Sequence, residues 1–288
     1  MAYPAVPAGY GFQARNEIGG LPYAGSTRMV PIANGYAQNL FYGDIVILSG
    51  GTLVKNTYDP TSSPTAGIAG TIGVFVGCEY VQPGTNQTQR AQYWPSGTAT
   101  NGALGYVIDD PRVVYKAAVG SQGTSLANAT SGMGYISPSF IGTNLYPIYV
   151  AGSTTSGDSA TVVTGGSVTN GTGNVRVTAG APFRVVGVVP ETTVAITATG
   201  GNGNSSGSTI TLTAANSAIT AGMQLITAST SGVLAGNYVT VTNVNGTTVS
   251  VSPNIAVPNG TALTFVGYTE ALVTWNQGFH SYTNASGV

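Results

Sequence analysis

The sequence predicts an all-β protein, a small β-barrel or β-tulip-like core domain with a small β-sandwich-like domain inserted into it. Three observations carry that reading. Short runs of β-branched and aromatic residues alternate with polar ones and are separated by Gly, Ser, Thr and Asn clusters. No segment of ten or more residues combines a helical period with helix caps. Finally, the interval between Glu191 and Glu270 holds no Asp, Glu, Lys or Arg at all, although such residues make up 6% of the chain. That break marks off a separate module.

The elements follow in chain order. Residues 1–30 read as an extended N-terminal arm. Its Tyr3, Pro4, Pro7, Tyr10, Phe12 and Arg15 are candidates to order against a groove on a partner and supply apolar anchors. The arm has no positive n-region followed by an apolar run, so no secretory signal is expected. GDIVILSGGTLVK (43–55) is two β-runs joined by Ser-Gly-Gly, a hairpin pattern. IGVFVGCEYV (72–81) alternates so that Val74, Val76, Cys78 and Tyr80 are expected on one face. YVIDDPRVVYKAAV (106–119) is a further pair of runs, and PFRVVGVVP (182–190) and EALVTWN (270–276) complete the set.

Gly/Ser/Thr/Asn-rich tracts at 57–71, 120–134, 152–173 and 200–207 read as long loops. Residues 192–269 supply short Thr/Val-rich strands with an Asn245-Gly246 turn signal. Charge and aromatic content return on both flanks, so residues 31–191 and 270–288 are read as one discontinuous domain and 192–269 as its insert.

Composition excludes several functions. A net charge of -1 gives no basic stripe for a nucleic-acid partner. One cysteine excludes an intrachain disulfide, and no stretch is apolar for long enough to span a membrane as a helix. With 42 glycines and few charges, the surface is built from hydroxyls, amides and backbone, and self-association is expected.

Asp109 and Asp110 pose the sharpest chemical question. Successive side chains on a strand point to opposite faces, so the two cannot share a proton while the backbone is extended. Asp before Pro favours a bend, and Asp caps turns through its own carboxylate. Asp109, Asp110, Pro111 and Arg112 therefore read as a structural corner, with Arg112 close enough to pair with either acid. A Ca²⁺ site would need six to eight oxygens, and no other acidic cluster stands nearby.

Cys78 and His280, each the only one of its kind, could form a nucleophile pair if they met in space. Cys78 instead shares the pattern of a buried small hydrophobe, and His280 lies in a polar aromatic tail, NQGFHSYTN. GNSSG (203–207) matches the hydrolase elbow pattern but lacks a strand before and a helix after. No zinc or phosphate motif occurs, so no cofactor is expected. Tyr36, Phe41, Tyr42, Tyr80, Tyr93 and Trp94 could stack on a sugar, although such residues more often fill a core or an interface.

The order FYGDIVILSGGTLVK, GVFVGCEYV, QYWPSGT, LGYVIDDPRVVYKA, PFRVVGVVP and VTWNQGFHSYTNASGV resembles virion structural proteins of tailed bacteriophages. The pairing of a Gly-Asp-x-Val strand with a later Gly-Val-x-Val-Gly strand is similar to that of head decoration, or cement, proteins. The resemblance implies a non-enzymatic β-barrel made in the host cytoplasm and bound to the outer capsid surface. It implies the major capsid protein as partner, a homotrimer at local threefold positions, and stabilisation of the expanded head by bridging capsomers.

Within the insert, AGMQLI followed by VTVTNVNGTTVSVS and TALTF resembles short β-repeats of phage and bacterial surface proteins. That likeness implies outward display, as a passive spacer or with weak glycan contact. The alternative is a tail-fibre or other receptor-binding protein, but sustained repeats or heptads for a fibre shaft are missing. A glycan depolymerase would need two carboxylates facing one groove, and the nine scattered acids nominate no pair.

Overall fold

A computed structural model describes residues 9–56, 70–120, 134–164, 168–170, 173–175, 181–201, 204–228 and 239–283. Tyr3, Pro4 and Pro7 lie outside the described residues. Among those described there are β-strands and short 3-10 turns but no α-helix.

The first strand is β1 (Gln13–Glu17). It is followed by β2 (Arg28–Pro31), β3 (Ile45–Ser49), β4 (Thr52–Lys55), β5 (Thr71–Val81), β6 (Thr88–Ala91) and β7 (Leu104–Ile108). Strands β2 to β7 form one sheet in the order β2-β7-β5-β3-β4, with β6 paired to the far end of β5. Its outer strands β2 and β4 approach each other, so the sheet curls into a nearly closed barrel. Phe75, Leu53, Trp94 and Val107 fill it. The β3–β4 hairpin turns at Gly50 and Gly51, whose φ values of 56° and 81° are the pair of positive angles that a two-residue turn of type I′ requires.

The second sheet begins with β8 (Val113–Gly120) and includes β9 (Asn144–Leu145), β10 (Pro147–Ile148) and β11 (Val162–Thr164). Between them and β14 (Phe183–Val188) lies a separate hairpin, β12 (Val168–Asn170) with β13 (Gly173–Val175). The sheet is completed by β21 (Glu270–Trp275), in the order β10-β11-β8-β21-β14-β9. β11 runs parallel to the end of β8, while β1 pairs antiparallel with its beginning. An aromatic core of Phe12, Tyr115, Phe183 and Trp275 packs with Ile45, Val74 and Ile108 of the first sheet, which joins the two sheets into one body.

The insert is a closed barrel. Its strands are β15 (Thr193–Gly201), β16 (Asn204–Leu212), β17 (Gln224–Ala228), β18 (Val239–Asn245), β19 (Thr248–Val257) and β20 (Ala262–Tyr268), arranged β15-β16-β19-β18-β17-β20. The sequence reading of a small sandwich over 192–269 is corrected here. Long strands with bulges at 204–209, 225–227 and 241–243 coil strongly enough for six of them to close around Phe265, Met223, Ile210 and Val249. Closure also removes edges that a module without lysine or glutamate has no charge to guard. The β18–β19 hairpin turns at Gly246 (φ 60°) and Thr247, with Asn245 facing Thr248.

Three further readings differ from the structure. Residues 13–17 are not part of a free arm: they pair with β8, and Phe12 is buried at 0% exposure. The apolar content of 9–17 finds a place in the body's own core, which outcompetes an extended chain. The tracts at 152–173 and 200–207 contain β11, β12, β13 and the ends of β15 and β16, because Thr- and Val-bearing polar segments pair wherever a neighbouring strand offers partners. The expected loops at 57–71 and 120–134 lie almost wholly outside the described residues.

The third concerns β5, whose predicted single face is split. A bulge between Phe75 and Gly77 shifts the phase, so Val74 and Val76 face the aromatic core while Phe75, Cys78 and Tyr80 face the nearly closed barrel. Gly77 at φ 144° accommodates that shift.

Candidate functional site

The β7–β8 connection passes the chain from one sheet to the other, and Asp109 to Arg112 form it. Asp110 Oδ1 accepts the Arg112 backbone N–H at 2.8 Å, and its carbonyl accepts the Val113 N–H at 3.3 Å, which closes the turn. Asp109 points elsewhere: its Oδ2 accepts the Tyr282 hydroxyl at 2.6 Å and lies 3.8 Å from Arg28 Nη1. The two carboxylates thus have separate partners. Arg112 pairs with neither side chain, since its guanidinium turns 3.9 Å from Glu17 on β1.

Across this corner lies the C-terminal tail. His280 is fully buried beside Trp275, ring centroids 5.6 Å apart, and bridges to Thr71 at the start of β5. Sequence reading placed His280 in a polar tail and missed its burial. The signal available was its position between two aromatics, Phe279 and Tyr282, close after a strand.

Cys78 lies seven residues further along β5 from Thr71, roughly 20 Å at about 3.3 Å per residue. The Cys/His pair therefore does not meet. Cys78 is buried, donates weakly to the Tyr93 carbonyl at 3.4 Å, and burial pushes its thiol up to about 12, far from a reactive thiolate at neutral pH.

Two buried carboxylates that sequence reading did not single out organise the body. Asp44 is 0% exposed and accepts Lys55 Nζ at 2.7 Å, Ser159 Oγ at 2.7 Å and the Phe41 N–H at 2.9 Å. Glu270, first residue of β21, accepts the Tyr10 hydroxyl at 2.7 Å and Lys116 Nζ at 3.3 Å on the same oxygen. Lys116 also lies 4.9 Å from the Tyr10 ring centroid. Burial, and then Glu270, raise the Tyr10 hydroxyl pKa. Each carboxylate is neutralised by a lysine and occupied by hydrogen bonds, so both act as ties between distant segments.

The residues expected to contact a capsid are thus divided. Tyr10 is tied to Glu270 and Phe12 is stacked on Phe183 at 4.4 Å, both turned inward. Arg15 is exposed at the bulge of β1. The candidate sugar platform is largely turned inward: Trp94 and Tyr80 pack edge to face at 5.4 Å inside the body, and Phe41 is buried against Tyr93.

GNSSG falls on the β15–β16 hairpin, a setting with no helix. Among the described residues, no three His, Cys, Asp or Glu side chains gather as metal ligands. A groove of about 410 Å³ opens on the insert, lined by uncharged residues that include Asn216, Ser217, Thr220 and Asn243. Comparison of the chain with protein-family models, curated proteins and solved structures finds no match.

Proposed function

We propose that this chain is a non-enzymatic structural protein of a phage virion, one that binds the outer capsid surface as a homotrimer and stabilises the expanded head by bridging capsomers. The observation that carries the reading is the way the insert is mounted. Thr193 and Tyr268, the first and last strand residues of the insert, are ladder partners, and the chain re-enters the body directly at β21. A neutral module is therefore held through its adjoining chain ends on a body that contains every charged side chain. That division suits one part gripping a lattice while the other stands off it.

Capsid contact is assigned to Tyr3, Pro4, Pro7 and Arg15; Tyr10 and Phe12 serve the body instead. Binding only the expanded lattice stabilises that state by linkage, and bridging several capsomers raises the effective concentration of each modest contact. The runner-up, a receptor-binding virion protein, is favoured by the amide- and hydroxyl-lined groove of the insert, which offers hydrogen bonds to a neutral glycan.

Co-sedimentation with expanded and unexpanded empty heads, read alongside the mass in solution, separates the two. Saturable binding to expanded heads alone, with trimers free or bound, is expected. Binding to neither form, with signal from the intact protein on a glycan array, would replace the first reading by the second.

A further inference from the structure

The only histidine in the chain closes the body. Beyond Trp275 the tail turns back, places His280 against Thr71, and donates the Ser281 N–H to the Thr71 carbonyl at 2.8 Å. Tyr282 then spans to the β7–β8 corner, where its hydroxyl donates to Asp109 at 2.6 Å and accepts from Arg28 at 2.6 Å. A single tail segment therefore ties β21 of one sheet to β2, β5 and β7 of the other.

The geometry specifies the protonation state on which the tie depends. His280 Nδ1 accepts the backbone N–H of Tyr282 at 3.2 Å. A ring nitrogen that accepts a hydrogen bond carries no proton, so the neutral ring holds its hydrogen on Nε2. Adding a proton to Nδ1 sets donor against donor and breaks the link that positions Tyr282. The ring is 0% exposed, and among the described residues its Nε2 has no well-formed partner, so an imidazolium there has no solvent to stabilise it.

The surrounding groups come from every packed element. The Ile72 carbonyl on β5 and, less strongly, the charges of Asp109 and Asp110 at the corner favour the charged form of the ring. Trp275 lies against it from β21 and Tyr282 from the tail, while Arg28 on β2 is held by Tyr282 and Asp109. Burial outweighs the favourable contacts and holds the imidazole below its ordinary value.

We propose that residues 276–283 form an acid-released clasp, in which protonation of His280 frees the tail from β5 and from Asp109 while both sheets stay folded. The sign follows from linkage. A proton disfavoured in the closed form leaves the clasp at full strength above the ordinary histidine value of about 6.5. It weakens as pH falls through that value towards the lower one of the closed tail.

The full-length protein tests this directly, because ¹³C-labelled histidine gives one ring signal. At about pH 7.5 the signal should report the Nε2–H tautomer, and on acidification it should titrate below the ordinary value. Over the same interval the Ser281 and Tyr282 amides should lose at least about tenfold of their exchange protection, while β8 and β21 keep theirs.

His280→Asn keeps an acceptor oxygen near the Nδ1 position and removes the titrating group, so its tail protection should stay flat with pH. Acid loss retained in that variant, or tail protection unchanged across the wild-type titration, overturns the clasp. Simultaneous loss in β8 and β21 overturns it too. Should His280→Asn not fold, coincidence of the two wild-type midpoints decides alone.

Discussion

At the scale of single residues, the body is organised by a few buried charges in a chain that has few charges to spend. Asp44 holds three donors from three segments, and its lysine partner is itself largely buried. Asp44→Ala leaves the Lys55 ammonium without a partner and should lower unfolding free energy by about 3–5 kcal/mol. Asp44→Ala combined with Lys55→Met should recover part of that loss, because removing both charges removes the unpaired one. Urea unfolding of the wild type and the two variants measures both effects. The sequence displays Asp44 openly in its Gly-Asp word, yet Ser159 is 115 residues away, and no local pattern announces such a partner. The corner at Asp109 to Arg112 was legible for the opposite reason, since a turn is made by residues next to each other.

Strands show the same contrast between near and far. The β3–β4 and β18–β19 hairpins could be read from their glycines, because two-residue turns demand positive φ there. The bulge in β5 was not readable, and it divides the side chains of that strand between two cores. Short or polar strands such as β11, β12 and the start of β16 were also hidden, because they lie inside loop-like tracts and only their partners make them strands. Close approach sets one more constraint at this scale. A Cβ on Gly73 would collide with the backbone carbonyl of Ile108 on β7, and Gly73 sits at φ 153°. Gly73→Ala should therefore force β5 and β7 apart and cost at least about 2 kcal/mol, read as a lowered urea midpoint. A change within about 0.5 kcal/mol would mean that the ladder yields there more easily than its geometry implies.

For the molecule as a whole, the insert and the body are joined at neighbouring strand ends and through the segment before the 3-10 turn Pro138–Phe140. Ile136 bridges to Tyr268, and Ser139 shares a hydrogen bond with Thr240 at 3.0 Å. Replacing residues 193–268 by a Gly/Ser linker of about four residues should leave a body that unfolds cooperatively, weakened by about 1–3 kcal/mol for those lost contacts. A calorimetric melt of the shortened chain checks it, and a body that no longer folds would show that the two parts share one core. The charge-free interval made the module visible in the sequence; the closure of its sheet was not, because six strands of that composition suit a sandwich as well as a barrel.

The central place of β21 has a consequence for synthesis. This strand lies between β8 and β14, yet it leaves the ribosome after the entire insert. All six insert strands lie within residues 193–268, so that barrel can close while β8 and β14 still wait, each with one bare edge. The body becomes complete only when residues near 275 arrive and slide between them. A polypeptide interrupted before that point would carry a finished barrel on an unfinished base, a species open to proteases and to edge pairing. Only chains translated past β21 would have both of those edges covered.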